Sequence, residues 1–502
     1  MKKSNNSKIK ELDGKVFYLI IILLSIYLLI RLIDQFKIIT DFPFDFVNDI
    51  SSHMAKVYFL DNFGFRSIVP YWYNGYDLFK FYPPGWFFFA LPLYKIFNNI
   101  QLATYISIIL IYIIAVLSFL FLGRILKISR KKSIFFFLIF LANPIAIGNF
   151  LRVGRLPEFL AWTFFIIFFA IILTYKSKKI DKKFFLISII ASLVLLSHQT
   201  VFMLASTLLL SLLIIKKNSK ERIYIILASI LIILITSFWI IPFALDYKET
   251  SISTEKYNYS QNYFNFTEKL LLENIASIII TIAFLLLAFI NIKNEKNKNN
   301  LYFFLPQIII AILILTSLVS YIPILKKIHP DAYNTLFIFL SAFLLLKTKY
   351  SLNQRKLFTV SLNLIVIAGI ILSIIHTPWY RKNTETDKNT ISLFKHVKGK
   401  FFIVESYESY GKAYYSYAPI YYQLSTPSGW SQHEIRQDYL DKLRAIGQNF
   451  QDNNCEKFKN LLLEVNTTEV ITYNEACKKL EFCGLKNKAT VGNACLYEII
   501  NQ

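Results

Sequence analysis

Three polar residues near the start of the chain have the types and spacing of a catalytic site. Asp45, Asp49 and His53 follow one another at intervals of four residues, so on a short helix they would share one face. A carboxylate there can deprotonate an acceptor hydroxyl as a general base, or it can bind a divalent cation such as Mg²⁺ or Mn²⁺. Because His53 is beside it, Asp49 is the candidate catalytic residue, with His53 assisting. Asp45 is assigned to substrate binding, and its simpler interpretation is a solvated loop residue.

A second polar segment could bind an anionic leaving group. Arg152, Arg155 and Glu158 lie close together between two apolar stretches. A guanidinium can bind a phosphate through two parallel hydrogen bonds, which suits a lipid phosphate. The alternative is an Arg–Glu ion pair that holds two helix ends together, and the sequence favours neither interpretation.

The remaining candidates are a histidine, its neighbour and two aromatic residues. His198 and Gln199 interrupt an apolar stretch, where a histidine could donate to a phosphate or to a sugar hydroxyl. Polar residues at membrane depth are functional candidates, although a buried structural histidine is the usual alternative. Trp72 and Tyr82 could stack on a sugar ring, but the simpler interpretation is that they anchor the chain at the membrane interface.

These residues are set among apolar stretches long enough to cross a membrane. The chain has 502 residues, of which 55% are hydrophobic and 17% aromatic. Since a transmembrane helix needs about 20 apolar residues, we predict a polytopic α-helical membrane protein with about eleven spans. A shorter run at 86–97 is predicted to be an interfacial or re-entrant helix. The spans are predicted at 16–34, 102–123, 134–151, 157–175, 184–197, 201–215, 223–243, 270–292, 301–320, 331–346 and 357–375.

The basic residues indicate the orientation of the chain. Of the net charge of +23, nearly all arises in six short connections that carry 26 Lys or Arg against five Asp or Glu. Positive charge in short connections marks the cytoplasmic side, so the N-terminus is predicted to be cytoplasmic and residues 35–83 to form the first outer loop. We expect a multi-pass protein of the plasma membrane. The basic residues form no single face, so the charge does not indicate a nucleic-acid partner.

Two interruptions of the apolar pattern predict breaks in helices. Residues 184–215 could form one long helix, but basic clusters at both ends require an even number of crossings. A hairpin with its apex at 197–200 meets this requirement, and its short legs place the polar apex where protein or water must surround it. Asn143 and Pro144 are predicted to kink another span.

The composition changes after residue 375. Residues 1–375 are predicted to form the transmembrane domain, and residues 376–502 a soluble α/β domain outside the cytoplasm. Strands are predicted at Phe401–Glu405, Glu469–Tyr473 and Ala494–Ile500, with a helix at Asn474–Leu480. All four cysteines are in this part, which suits two disulfides with three possible pairings, although reduced thiols are also compatible. The cysteines are Cys455, Cys477, Cys483 and Cys495.

The quoted motifs resemble those of a known family. The motifs are Asp49 with His53, then Trp72 and Gly75, then Phe81-Tyr82-Pro83-Pro84, and then the segment from Gly154 to Glu158. They resemble the prokaryotic membrane proteins named as related to 6-pyruvoyl-tetrahydropterin synthase, a family that looks like a branch of the GT-C glycosyltransferases.

The resemblance implies a fold, a donor and a set of roles. The implied fold is GT-C-like, and the implied donor is a polyprenyl-phosphate sugar. Asp49 would take the place of the family's loop acid, as base or metal ligand, while Arg152, Arg155 and His198 would hold the lipid phosphate. Many members of the wider superfamily carry paired neighbouring acids, but this chain has Asn48 beside Asp49, so metal dependence stays open.

The sequence therefore predicts a membrane glycosyltransferase. It would transfer a sugar from a polyprenyl-phosphate donor to a glycan, lipid or protein acceptor outside the cytoplasm, in contact with membrane lipid and without a certain cofactor. A lipid-carrier flippase or transporter is the main alternative, but inverted repeats typical of transporters are not evident. The third hypothesis is a non-catalytic surface-assembly protein, which has no need of an acid, arginines and a histidine that converge.

Overall fold

The structure is a computed structural model of the chain. It describes residues 2–41, 49–249, 264, 271–295, 298–348, 352–376, 379–380, 384–404, 411–430 and 432–499. Asp45 therefore lies outside the described residues.

The apolar stretches fold as α-helices, since in lipid every backbone polar group must be paired within its own segment. A π-helical turn, Ile147–Arg152, continues the short helix α6. The helices up to residue 376 are α1 (Lys2–Thr40), α2 (Ile50–Phe63), α3 (Gly85–Phe97), α4 (Ile100–Leu126), α5 (Arg130–Leu141), α6 (Pro144–Ala146), α7 (Leu156–Ser177), α8 (Leu186–Ser197), α9 (Gln199–Ile215), α10 (Ser219–Asp246), α11 (Leu271–Glu295), α12 (Lys298–Leu315), α13 (Pro330–Lys347) and α14 (Leu352–His376).

The number of spans is smaller than the sequence predicts when helix length is the criterion. Within the described residues, five helices are long and apolar enough to cross a membrane, or six if the bent pair α5–α6 counts as one. Several predicted spans are instead shorter helices, among them α8 with 12 residues and α9 with 17. At 1.5 Å per residue these are shorter than the hydrocarbon core of about 30 Å. The predicted eleven crossings are therefore not confirmed.

Helix α7 forms the centre of the helical bundle and α10 lies at its edge. In the apolar window of α7, 78% of residues are buried, whereas the figure for α10 is 28%. The outer face of α10 carries exposed Ile226, Ile230 and Ile233. An apolar face this long suits contact with lipid tails.

The connection between α1 and α3, residues 41–84, differs from the predicted outer loop. Helix α1 continues to Thr40 instead of ending near residue 34, because Gln35, Ile38 and Ile39 are buried against the bundle. The connection then contains helix α2 and a short antiparallel pair, β1 (Ile68–Val69) with β2 (Tyr76–Asp77). We call residues 41–84 the first connection.

The C-terminal part forms an α/β unit around a four-stranded sheet, which we call the C-terminal region (residues 384–499). Its strand order is β3-β4-β6-β5, with β3 parallel to β4 and the other pairs antiparallel. The predicted strands begin at the observed positions, and β5 was not predicted. The elements are α15 (Glu385–Leu393), β3 (Phe401–Ile403), α16 (Gly411–Tyr422), α17 (Gln437–Gln451), α18 (Cys455–Glu464), β4 (Glu469–Tyr473), α19 (Glu475–Phe482), β5 (Lys486–Val491) and β6 (Ala494–Glu498).

The four cysteines form two disulfides in this region. Cys455 pairs with Cys483, and Cys477 pairs with Cys495. The structure thus selects one of the three pairings that the sequence left open. The first bridge joins the start of α18 to the end of α19, and the second joins α19 to strand β6.

Candidate active site

Asp49 immediately precedes helix α2 but does not cap it. An aspartate at this position usually accepts a hydrogen bond from a backbone N–H of the first turn, yet the carboxylate of Asp49 makes no such bond. The helix is attached through the main chain instead, since the amide of Asp49 donates to the carbonyl of Val153 at 2.7 Å. The half-buried carboxylate is therefore available for other contacts, and the positive end of the helix dipole stabilises its charge.

Gly154 allows the first connection and the α6–α7 connection to approach this closely. It has a φ of +79°, and a Cβ atom there would lie 3.1 Å from the backbone nitrogen of Ile50 and closer still to the Ile50 side chain. A residue with a side chain would therefore push α2 away from Arg155 and its neighbours.

Arg155 is the centre of an ion-pair network. Its Nη1 atom lies 3.1 Å from Asp331 Oδ2, at the start of α13, and 3.9 Å from Glu158 Oε2. Burial would lower the pKa of Arg155, but the charges of Glu158, Asp331 and Asp49 outweigh it and raise the pKa. The Arg–Glu pair, one of the two alternatives that the sequence left open, is therefore present, and Asp49 is near enough to act on the same guanidinium.

His53 is buried one turn after Asp49. Its ring lies 5.5 Å from the ring of Trp86 and 5.6 Å from that of Phe87, and neither nitrogen has a hydrogen-bond partner among the described residues. Burial and the charge of Lys56 hold the pKa of His53 well below its usual value. The nearby backbone of Gly154 raises this pKa, but by less than burial lowers it. His53 is thus neutral, and its side chain makes no hydrogen bond with Asp49.

His198 lies at the break between α8 and α9, as the hairpin interpretation predicts. The break packs on the start of α3, where a Cβ on Gly85 would lie 2.7 Å from the carbonyl oxygen of Leu196. The Nδ1 atom of His198 is buried without a partner among the described residues. Burial lowers the pKa of His198, and of the charges that act on it Glu158 raises the pKa while Arg155 lowers it. His198 therefore lies close to Arg155 and Glu158. We call these three residues, together with Asp49 and His53, the cluster.

The other predicted site residues divide into three groups. Tyr82 joins the cluster: the Lys56 ammonium lies 4.5 Å from the centre of its ring, and burial followed by the charge of Asp49 raises its pKa well above the usual value. Arg152 is buried at the end of the π-helical turn, and Gln199 begins α9 half-buried. Asp45 lies outside the described residues.

Trp72 does not have either of the predicted roles. Its ring is fully buried, and its Nε1 atom donates to the carbonyl of Tyr415 in α16 at 2.7 Å. A ring without exposed surface can neither stack on a sugar nor sit at the membrane interface. Trp72 instead packs the first connection against the C-terminal region, a contact between distant parts of the sequence.

A segment of the C-terminal region, residues 426–430, reaches the cluster. We call it the strap. The amide of Thr426 donates to the carbonyl of Tyr71 at 2.9 Å, and the amide of Tyr73 donates to the carbonyl of Ser428 at 3.3 Å. At its end, Nε1 of Trp430 donates to Oδ1 of Asp49 at 3.2 Å.

A buried ion pair holds the same two parts together. Nζ of Lys56, in α2, lies 2.7 Å from Oε1 of Glu434, and both side chains are 1% exposed. The hydroxyl of Tyr76 donates to the other carboxylate oxygen, Oε2, at 2.6 Å. These three residues adjoin the site, because the Lys56 ammonium also lies over the ring of Tyr82.

The described residues do not fit a metal site at Asp49. No group of three His, Cys, Asp or Glu side chains converges at ligand distances within the described ranges. Among the described residues, the contact to the Asp49 carboxylate is a hydrogen bond from the indole N–H of Trp430 and not a second carboxylate or imidazole. No step of the chemistry below is therefore assigned to a cation.

Sequence reasoning missed Trp430, Glu434 and Lys56. Trp430 and Glu434 are separated from Asp49 by more than 380 residues, and no local pattern connects them. Lys56 follows His53 by three residues and therefore points to the same side of α2, which could have drawn attention to it. An isolated lysine in an outer loop, however, is ordinarily exposed.

Comparison with solved structures identifies the fold. The structure matches that of the arabinofuranosyltransferase AftD from Mycobacteria with a TM-score of 0.60 at 12% identity, covering 95% of this chain and 40% of that one. A mutant of AftD gives a TM-score of 0.58 at 11% identity, covering 96% of this chain and 42% of that one. An oligosaccharyltransferase, AglB from Archaeoglobus fulgidus, gives 0.45 at 13% identity, covering 90% and 69%. The chain thus shares the fold of AftD, and it spans about 40% of the length of that protein.

The family follows from the sequence itself. The family described as "6-pyruvoyl-tetrahydropterin synthase related domain; membrane protein" matches residues 79–380, more than half of the chain, and the chain belongs to it. This confirms the resemblance inferred from the motifs. The matched range contains Tyr82, Arg155 and His198 but neither Asp49 nor the C-terminal region. No curated protein sequence matches the chain.

Proposed function

We propose that this protein is a membrane glycosyltransferase that moves a sugar from a polyprenyl-phosphate-linked donor to an acceptor outside the cytoplasm. The observation that carries the proposal is the carboxylate of Asp49, which begins a helix without capping it and lies within electrostatic reach of Arg155 and Tyr82. A non-catalytic scaffold does not require such convergence. The fold shared with AftD supports the same class of reaction.

Asp49 would act as the general base. Oδ1 is occupied by Trp430, and Oδ2 has no hydrogen bond from any described residue. An acceptor hydroxyl or amide that donates to Oδ2 loses its proton to Asp49 as its oxygen or nitrogen forms a bond to the anomeric carbon. The bond from that carbon to the phosphate oxygen breaks on the opposite face, and the polyprenyl phosphate leaves with the electron pair, so the configuration inverts.

The leaving phosphate needs hydrogen-bond donors at the opposite side of the sugar. His198 offers a buried nitrogen without a partner, and Arg155 is partly exposed although it already pairs with Asp331 and Glu158. Arg152 lies on the same connection. Because two carboxylates share its guanidinium, Arg155 can neutralise only part of the charge of a phosphate. We therefore assign Arg155 to orientation of the phosphate, and His198 to donation of a hydrogen bond to it.

The basic connections support the orientation. Nζ of Lys176, in the last turn of α7, donates to Asn300 of α12 at 2.7 Å. Nζ of Lys216, after α9, donates to the carbonyl of Lys178 at 2.6 Å. Basic connections that are distant in sequence thus meet at one end of the bundle, as expected of a cytoplasmic face. The first connection, His198 and Asp331 meet elsewhere, and we assign that end and the C-terminal region to the outside of the plasma membrane.

The test is transfer of radiolabelled sugar by the purified protein from a mixture of polyprenyl-phosphate sugars. Asp49→Asn and Asp49→Ala should each lower transfer to background while abundance and thermal stability are unchanged. Asp61→Asn is the matched control, since Asp61 is also on α2 but pairs with Lys95 at the far end of the helix. Retained transfer in both Asp49 variants would refute the proposed base.

Two outcomes with the wild-type protein would favour another function. If no donor supports transfer but the protein moves a labelled polyprenyl phosphate between leaflets of a vesicle, it is a lipid-carrier flippase. If it does neither, a non-catalytic surface-assembly protein is the better description.

A further inference from the structure

The hydrogen bond between Trp430 and Asp49 joins the C-terminal region to the proposed base. We propose that Trp430 is a positioning residue, which orients the carboxylate of Asp49 so that the C-terminal region completes the active site. This inference rests on the proposed function. Trp430 contacts the base directly, with Nε1 at 3.2 Å from Oδ1, and both residues are half-buried.

The carboxylate of Asp49 has little else to hold it. It does not cap α2, and among the described residues Trp430 is the hydrogen-bond donor that reaches it. An aspartate side chain turns about two bonds, so without a partner both oxygens would exchange positions freely. With Oδ1 held by the indole, Oδ2 is presented to the acceptor in one orientation, which is the condition for an efficient base.

Trp430 can fulfil this role because the strap fixes its backbone. Its carbonyl oxygen accepts from the hydroxyl of Tyr73, and the preceding residues pair with the backbone of Tyr71 and Tyr73. The strap also lies directly on the first connection: a Cβ on Gly429 would be 2.8 Å from Cγ of Trp72 and 2.9 Å from Cε2 of Tyr73. Only glycine permits this approach without displacing an aromatic ring.

The experiment is Trp430→Phe, which keeps an aromatic ring and removes the N–H group. We expect kcat to fall about 10- to 100-fold, as for loss of alignment of a catalytic group, while KM for the lipid donor stays within about twofold. Thermal stability should be unchanged. The matched control is Trp379→Phe, which removes an indole that donates to the carbonyl of Ile374 away from Asp49; its kcat should equal that of the wild-type protein.

A second variant separates the hydrogen bond from the shape of the ring. Replacement of Trp430 by benzothienylalanine, an isosteric amino acid with sulfur in place of the N–H, should lower kcat as Trp430→Phe does, even if the phenylalanine variant is unstable. An unchanged kcat with this residue would overturn the inference, as would a rise in KM without a fall in kcat, which would assign Trp430 to substrate binding.

The failure of this inference can be distinguished from failure of the proposed function. If the wild-type protein transfers sugar and Asp49→Asn does not, but both Trp430 variants are fully active, only the positioning role is wrong. If the wild-type protein transfers no sugar, the proposed function fails, and with it the role assigned to Trp430.

Discussion

Removal of Lys56 should detach the C-terminal region from the first connection. Lys56→Met would leave the carboxylate of Glu434, 1% exposed, without its ammonium partner at 2.7 Å, although the hydroxyl of Tyr76 would still donate to it. Removing one partner of a buried ion pair costs about 3–5 kcal/mol. Since about 1.4 kcal/mol is a factor of ten, the population with an opened contact should rise at least about 100-fold.

Limited proteolysis in detergent measures this population. When opening and closing are fast relative to cleavage, the rate of cleavage follows the equilibrium population of the open form. Chymotrypsin suits the assay because Lys56→Met removes none of its sites. We expect faster cleavage at aromatic residues of the first connection and of the strap, and loss of glycosyl transfer in parallel, because the strap carries Trp430.

The controls are a lysine in an exposed ion pair and a second substitution that compensates for the loss of Lys56. Lys442 pairs with Glu464 at 3.3 Å, but both side chains are more than half exposed, so Lys442→Met should cost less than about 1 kcal/mol. The double variant Lys56→Met with Glu434→Gln replaces the buried charge by an amide that can still accept from Tyr76 and should recover most of the loss. Equal cleavage rates for the two single lysine variants would refute the argument.

Three further predictions concern the same parts of the protein. Gly429→Ala should lower stability by about 1–3 kcal/mol because its Cβ meets the ring of Trp72, whereas Gly447→Ala, in open space within α17, should raise stability by about 0.5–1 kcal/mol; thermal unfolding that ranks them in the opposite order would contradict this. The pKa of buried His53 lies well below 6.5, so below that pH the unfolded chain binds a proton that the folded protein excludes. The free energy of unfolding should therefore fall as the pH drops below 6.5, by up to about 1.4 kcal/mol per pH unit. The slope should be smaller in His53→Phe, and an equal slope would count against this cause. Replacement of the Cys477–Cys495 disulfide by two serines should lower stability of the C-terminal region by about 2–4 kcal/mol, and an unchanged unfolding temperature would show that the loop is otherwise constrained.

Patterns that are local in sequence predicted much of the bundle. Apolar runs gave the positions of most helices, and the polar residues around His198 marked a real break between α8 and α9. Arg155 and Glu158, three residues apart at a helix start, lie within 3.9 Å as one of the two interpretations requires. These predictions succeeded because helical spacing determines which neighbours can meet.

Contacts between distant segments were beyond the sequence. Trp72 is of a residue type that often anchors a chain at the membrane interface. It is buried instead because the C-terminal region packs on it, with Tyr415 in contact with its ring nitrogen. Asp49 could be identified as a candidate base from its neighbours in sequence. Its partner Trp430 could not, because it is 381 residues away. The count of eleven spans is not confirmed, because helices such as α8 end at the predicted break and, with 12 residues, are shorter than the hydrocarbon core of a bilayer.

The bend between α5 and α6 affects the site at a distance. One side chain, Asn143, accepts from the amides of Ile145 and Ala146 and donates to the carbonyls of Ile139 and Phe140. A single amide group thereby takes over the backbone pairing that the 51° bend interrupts. The bend therefore costs few unpaired backbone groups, and it directs the turn that follows, Ile147–Arg152, into the α6–α7 connection that carries Arg155.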